Sequence, residues 1–142
     1  AVFAITDGIP FAKKGQATQR IELDSSGDGF LISMVEVELS VFDVLLPPQT
    51  GFITTTSKIE AGTALGSSLL TVQTTQIKDS SWEKIPILAT SVKNSVFPSN
   101  EAFERVAQGS SEVEMRTTYL SDELRIVRNE AGSAFVFQRV LY

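Results

Sequence analysis

The sequence contains neither cysteine nor histidine. Without cysteine, the chain forms no disulfide and has no thiolate nucleophile. Without histidine, it lacks the commonest general base, the commonest zinc and copper ligand, and the Ser-His-Asp arrangement. These absences argue against an enzyme, and we expect neither catalytic residues nor a metal site.

Positive charge is also scarce. The 12 Lys and Arg residues face 17 Asp and Glu residues, so the net charge is −5. This sign disfavours general attraction to phosphate backbones and to an anionic lipid surface, and we expect no nucleic-acid partner. No apolar run approaches the roughly 20 residues that cross a bilayer, so we expect any membrane association to be peripheral. With 42% hydrophobic and 20% charged residues, the chain reads as one globular domain over residues 1–142.

Apolar and polar residues alternate with period two in much of the chain. In residues 34–42, three valines and Leu39 alternate with two glutamates and a serine, as in a half-buried strand. Similar composition predicts further strands at 17–23, 52–60, 69–77, 113–120, 123–128 and 133–141. One helix is predicted at 99–108. Such short antiparallel strands are typical of a sandwich or a barrel, and a barrel of about eight strands can hold one small ligand.

The segment DSSGDG, residues 24–29, has two interpretations. Its first half fits the spacing of a calcium-binding loop. The bidentate acid of such a loop would fall at Val35, however, and the flanking segments read as strands rather than helices. We therefore favour an Asp- and Gly-rich hairpin turn.

The aromatic residues need no cofactor to explain them. Trp82 is the only tryptophan, and a single aromatic residue near a strand most often packs in a core or at its rim. The nine phenylalanines are equally explained by packing, although a barrel interior lined by Phe would suit an apolar guest.

Arg125 is the most informative charged residue. Alternation along residues 123–128 places it on the same strand face as Val127, and a charge on a partly buried face needs a partner. One interpretation is a clamp to a nearby carboxylate, for which the sequence offers Asp122, Glu123, Glu114 and Glu112. The other places Arg125 and Tyr119 at a cavity mouth, where they hold the polar head of an apolar ligand.

The stretch TTYLSDELRIVRNEAGSAFVF, residues 117–137, resembles the C-terminal signature of the plastid lipid-associated proteins, also called plant fibrillins or plastoglobulins. That signature runs approximately T-T-Y-L-D-x-x-L-R-I-x-R-G-x-x-G-x-x-F-V. The matching residues are Thr117, Thr118, Tyr119, Leu120, Leu124, Arg125, Ile126, Arg128, Gly132, Phe135 and Val136. Residues 10–23 and 34–39 resemble earlier strands of the family more weakly.

The chain departs from the family pattern at three places. Ser121 stands where the family has Asp, which moves any acid-dependent contact onto Asp122 or removes it. Asn129 replaces a Gly, which indicates a different turn. The family's usual beginning, a helical segment and a Gly-x-Trp-x-Leu-x-Tyr-Thr strand, is also missing. Either the domain lacks its N-terminal helix and first strand, or residues outside this sequence precede or interrupt it. A lost barrel strand would leave an edge that a partner must cover.

The resemblance implies a mainly β fold, a lipocalin-like antiparallel β-barrel with one short helix. It also implies a plastid protein at the thylakoid membrane or the plastoglobule surface. Such a protein would require no cofactor and would bind a carotenoid, a quinone or another prenyl lipid. Its ligand-binding residues would be Tyr119, Asp122, Arg125, Phe135 and Phe137.

Two rival functions remain open from the sequence. The first is a structural or assembly subunit docked on a photosynthetic membrane complex, with a barrel filled by its own side chains. The second is an enzyme acting on small lipids, which would have to rely on Asp, Glu, Tyr or Lys because His and Cys are absent.

Overall fold

A computed structural model describes residues 12–40, 47–78, 80–82 and 96–141. The elements in these ranges are β1 (Ala12–Leu23), β2 (Gly29–Leu39), β3 (Gln49–Ala61), β4 (Ser67–Lys78), β5 (Val96–Phe97), α1 (Ser99–Val106), β6 (Glu112–Leu120), β7 (Leu124–Asn129) and β8 (Ala134–Gln138). Hydrogen bonds connect the strands in the order β1-β2-β3-β4-β6-β7-β8, and β5 pairs with β4. The mainly β, antiparallel chain with one short helix confirms the predicted fold class and is consistent with a lipocalin-like barrel.

The strands lie close to their predicted positions. Five of the seven predicted strands are observed with bounds that differ by at most three residues, and the two predicted at 17–23 and 34–42 begin five residues earlier, at Ala12 and Gly29. Val41, Phe42 and the chain start at residues 1–11 lie outside the described residues. The helix ends two residues before its predicted end, and in the described ranges no helix is long and apolar enough to cross a lipid bilayer.

The described residues form two compact units. The first contains residues 12–20, 32–40, 47–56, 73–78, 80–82 and 96–99. Its buried core consists of Val35, Val37, Leu39, Ile53 and Trp82, with Ile77 packed against them. The Trp82 indole Nε1–H donates a hydrogen bond of 3.2 Å to the carbonyl oxygen of Gln49. Trp82 is therefore a core residue, which confirms the prediction that it packs in a core or at its rim.

The second unit contains residues 21–31, 57–72 and 100–141. Its buried apolar side chains are Leu31, Ile59, Val72 and Val127. Strand β6 pairs here with the first half of β4, with Val113 opposite Leu70. This pairing attaches the C-terminal strands β6, β7 and β8 to β4. These three strands carry every predicted ligand-binding residue except Asp122.

Residues 24–28 form the turn between β1 and β2. One oxygen of the Asp24 carboxylate accepts hydrogen bonds from the Ser26 hydroxyl, the Ser26 amide (2.8 Å) and the Asp28 amide (3.2 Å). These bonds, from Ser26 above all, hold the pKa of the Asp24 carboxyl below its ordinary value. The described residues bring together no group of three acidic side chains that could hold a metal ion. The segment is thus a hairpin turn closed by its own aspartate.

Candidate functional site

The predicted site residues on strands β6, β7 and β8 lie on two different faces of the sheet. Residues directly opposite each other in an antiparallel pair point to the same face. Strand β7 places Arg125 opposite Phe137 and Val127 opposite Phe135. On its other side, β7 places the same two residues opposite Leu120 and Thr117. We call this surface the Arg125 face, which consists of Thr117, Leu120, Arg125, Val127, Phe135 and Phe137.

The Arg125 face is the more buried of the two. Val127 is 6% exposed, and Phe135 and Phe137 are half-buried. The structure therefore brings together three of the five predicted ligand-binding residues, Arg125, Phe135 and Phe137, around an apolar strip.

Arg125 stacks on an aromatic ring of this face. Its guanidinium carbon lies 4.8 Å from the centroid of the Phe137 ring. A cation over an aromatic face gains about 0.5–2 kcal/mol, depending on how far it is desolvated. Burial lowers the pKa of Arg125, but a guanidinium stays protonated in proteins. The Arg125 face thus carries a permanent positive charge among apolar side chains.

Tyr119 lies on the opposite face. A β-bulge between Thr117 and Tyr119 shifts the register, so that Tyr119 lies opposite Ile126 and Leu120 takes the place opposite Arg125. Tyr119 is 51% exposed. The expectation that Tyr119 and Arg125 share one cavity mouth is therefore wrong, because the extra residue in β6 turns the tyrosine away. Leu120 is the neighbour of Arg125 that sequence reasoning missed.

The turn between β6 and β7 is organised by Ser121. Its hydroxyl oxygen accepts hydrogen bonds from the amides of Leu124 (3.0 Å) and Glu123 (3.3 Å). Ser121 thereby supplies the side-chain acceptor that an Asp would supply at the same place. Asp122 is exposed in this turn, at the same end of β7 as Arg125, and its contribution to ligand binding stays a prediction.

The structure excludes two of the four carboxylates that were candidate partners of Arg125 in a clamp. Glu114 and Glu112 lie opposite Leu69 and Thr71 of β4, and they alternate with the β6 residues that share the Arg125 face. Both glutamates therefore point to the opposite face from Arg125. Asp122 and Glu123 are the two candidates at the correct end of the strand.

Asn129 organises the turn between β7 and β8. Its side-chain Oδ1 accepts a hydrogen bond of 2.9 Å from the Ser133 amide, and its carbonyl accepts one of 2.9 Å from the Gly132 amide. This turn fixes the register in which Phe135 and Phe137 lie opposite Val127 and Arg125. The residue that departs from the family pattern therefore positions the aromatic part of the Arg125 face.

These contacts define what the Arg125 face can bind. Two Phe rings and Val127 offer apolar contact, and the guanidinium at one end offers hydrogen-bond donors with a positive charge. A ligand with a long apolar body and an oxygen-bearing head matches this arrangement.

A family model described as PAP_fibrillin matches residues 2–138 of the chain. No curated protein and no solved structure gives a significant match. The family match covers all eight described strands and the helix. The chain therefore belongs to the PAP_fibrillin family of plastid lipid-associated proteins.

Proposed function

We propose that this family member binds a lipophilic molecule on its Arg125 face and does not turn it over. The supporting observation is the half-buried guanidinium of Arg125, stacked on Phe137 at the end of an apolar strip. The ligand class is a carotenoid, a quinone or another prenyl lipid. Prenylquinones combine a long hydrocarbon body with keto oxygens at one end, and oxygenated carotenoids carry keto or hydroxyl oxygens on their terminal rings.

Membership of the family supports the proposed location. Proteins of this family are associated with plastids, and we propose the thylakoid membrane or the plastoglobule surface as the place of action. The protein would attach there peripherally and exchange its ligand with the lipid phase. The absence of His and Cys from the whole sequence supports binding rather than catalysis.

The first test is an organic-solvent extraction of the protein purified from its native source, with absorption and mass spectrometry of the extract. We expect a carotenoid, quinone or other prenyl lipid in stoichiometric amount. An extract without any such molecule would contradict ligand binding.

Replacing Phe137 by Asp is expected to abolish binding of an added carotenoid or prenylquinone. The substitution places a carboxylate among the apolar side chains of the Arg125 face, where contact with a hydrocarbon body is lost. The matched control is Val136→Asp, which adds the same charge one residue earlier, on the opposite face, at a position that is 63% exposed.

Binding is measured by fluorescence quenching or by co-elution of the pigment. Phe135→Asp tests the same face two residues away and covers the case in which Phe137→Asp fails to fold. Retained affinity in both Phe variants would exclude the Arg125 face as the binding surface. Equal loss in Val136→Asp would show a general effect of the added charge.

Replacing Arg125 by Met is expected to separate the contribution of the ligand's polar head to binding from that of its apolar body. The variant keeps the apolar stem but loses the donors, and a hydrogen bond to a charged group contributes about 1.5–3 kcal/mol. Affinity for a prenylquinone, which has carbonyl oxygens, should fall by about tenfold or more, while affinity for β-carotene, a pure hydrocarbon, should not change. Equal losses for both probes would show that Arg125 shapes the sheet and does not contact the head group.

A structural or assembly subunit is the second candidate function, and the exposed face opposite Arg125 would be its contact surface. Tyr119 and Val136 on that face are 51% and 63% exposed. Co-migration with a photosynthetic membrane complex in mildly solubilised membranes, together with an empty extract, would support this candidate over ligand binding.

A further inference from the structure

The face opposite Arg125 has a pattern that ligand binding does not use. Its first row pairs Arg116 with Arg128 across β6 and β7. Its next row pairs Ile126 with Tyr119 on one side and with Val136 on the other. Leu124 follows on the same strand face. We call this surface the Tyr119 face, which consists of Arg116, Tyr119, Leu124, Ile126, Arg128 and Val136.

The two arginines form a like-charge pair that an anion would relieve. Residues directly opposite each other in a sheet interact, and like charges there are destabilising. Arg116 and Arg128 are both exposed. In the described part of the chain no carboxylate lies within ion-pair distance of either, and Arg128 donates a hydrogen bond of 3.2 Å to the Gly132 carbonyl. These two adjacent positive charges occur on a chain whose net charge is −5.

The apolar row lies one step along the strands from the arginines. Two residues along a strand span about 6.6 Å, so guanidinium groups and apolar side chains alternate at that distance. The apolar row includes Tyr119, and tyrosine is enriched where a membrane meets water. An arginine that reaches the head groups while Tyr, Val and Leu contact the acyl boundary is the arrangement of a peripheral lipid-binding surface.

Acidic residues border the Tyr119 face on the β4 side, and Asp122, Glu123 and Glu130 are exposed in the turns at the two ends of β7. Glu114 and Glu112 lie on the same sheet face further along β6, opposite residues of β4 rather than of β7. The docking area is thus confined to β7, β8 and the end of β6. A stable protein interface uses about 20–30 residues on each side, far more than this area holds, so its size favours a lipid surface over a protein partner.

We propose that the Tyr119 face docks onto a membrane surface that contains anionic lipids. The two arginines would contact the anionic head groups, and Tyr119, Leu124, Ile126 and Val136 would contact the acyl boundary. This inference deepens the membrane part of the proposed function and rests on it. Ligand content, which tests the Arg125 face, is measured separately, so either proposal can fail while the other holds.

The test is flotation of the full chain with vesicles of phosphatidylcholine alone and with equimolar phosphatidylcholine and phosphatidylglycerol. We expect binding to the anionic vesicles that weakens as salt is added. The double variant Arg116→Gln and Arg128→Gln should lower the partition coefficient by about tenfold. The control double variant, Lys58→Gln and Arg105→Gln, makes the same change in net charge outside the face and should lower it by less than about twofold.

A fluorescence readout locates the contact independently of the charge. Tyr119→Trp should be quenched by brominated phosphatidylcholine in the anionic vesicles. Val106→Trp, at a position that is 85% exposed in α1, should not be quenched. The native Trp82 is buried and contributes a constant background.

Several results would overturn the proposal. They are equal binding to neutral and anionic vesicles, an equal loss in the control double variant, equal quenching of both Trp reporters, and no vesicle binding by a folded protein. The last result, combined with capture of a photosynthetic membrane complex, would assign the Tyr119 face to a protein partner instead. Val136→Asp should bind anionic vesicles poorly yet keep its ligand, whereas Phe137→Asp should do the reverse.

Discussion

Replacing Trp82 by Ala is expected to lower the free energy of unfolding by about 3–5 kcal/mol. The indole is 4% exposed and packs with the valines of β2 and with Ile53 of β3, so its removal leaves a cavity in the core of the first unit. A domain of this size is stable by about 5–15 kcal/mol, and the loss is a large part of that. Urea denaturation followed by far-ultraviolet circular dichroism measures it, because the variant no longer has tryptophan fluorescence.

Two further variants separate the causes of this loss. Trp82→Phe keeps most of the apolar volume but removes the Nε1–H that donates to the Gln49 carbonyl at 3.2 Å, and it should cost about 1–3 kcal/mol. Leu65→Ala removes an apolar side chain that is 96% exposed and should change stability by less than about 0.5 kcal/mol. A loss in Trp82→Ala no larger than in Leu65→Ala would contradict a core position for Trp82.

The sequence predicts the strands well because alternation and burial follow the same period. Val35, Val37 and Leu39 were expected on one face of a strand, and they are 2%, 0% and 6% exposed. Composition also located the turns, since Asp24 and Ser121 accept hydrogen bonds from the amides of their own turns. Local patterns therefore determine the elements and their faces wherever the pairing is regular.

The candidate site is less predictable, because it depends on register between strands. Regular pairing after Thr117 would place Tyr119 opposite Arg125, as the sequence interpretation assumes. Thr118 is instead an extra residue in β6, and its hydroxyl donates to the Ile126 carbonyl at 3.4 Å. A bulge leaves no periodic signal in a stretch of Thr, Thr and Tyr, because each of these residues suits either face of a strand.

The same limit applies to contacts between distant segments. The opposition of Arg116 and Arg128 depends on the register of β6 on β7, and the bond from Trp82 to Gln49 joins residues 33 positions apart. Neither contact has a signature in composition or spacing. The arginine pair is nevertheless the feature that separates the two faces of the C-terminal strands into a proposed ligand side and a proposed lipid-surface side.

Replacing Gly29 by Ala is expected to lower the free energy of unfolding by about 3 kcal/mol or more, because overpacking against atoms that cannot move away is costly. A Cβ on Gly29 would lie 1.8 Å from the carbonyl oxygen of Glu22 and 2.9 Å from the Cα of Leu23. Both are backbone atoms of β1, so the clash cannot be relieved by turning a side chain. To relieve the clash, the hairpin would have to open. This opening is opposed by the hydrogen bond of 2.8 Å that the Asp24 amide donates to the Asp28 carbonyl.

Gly109→Ala is the matched control for this clash. Gly109 has a φ of 79°, and a Cβ there would meet no atom within 4 Å, so the variant has conformational strain without a steric clash. Left-handed backbone costs an L-residue about 1–2 kcal/mol. Urea denaturation should therefore give Gly29→Ala a lower free energy of unfolding than Gly109→Ala. Amide hydrogen exchange at Asp24 should accelerate only in Gly29→Ala. Equal stabilities would mean that β1 moves away from Gly29 at little cost, and that the hairpin tolerates a side chain where the two backbones now meet.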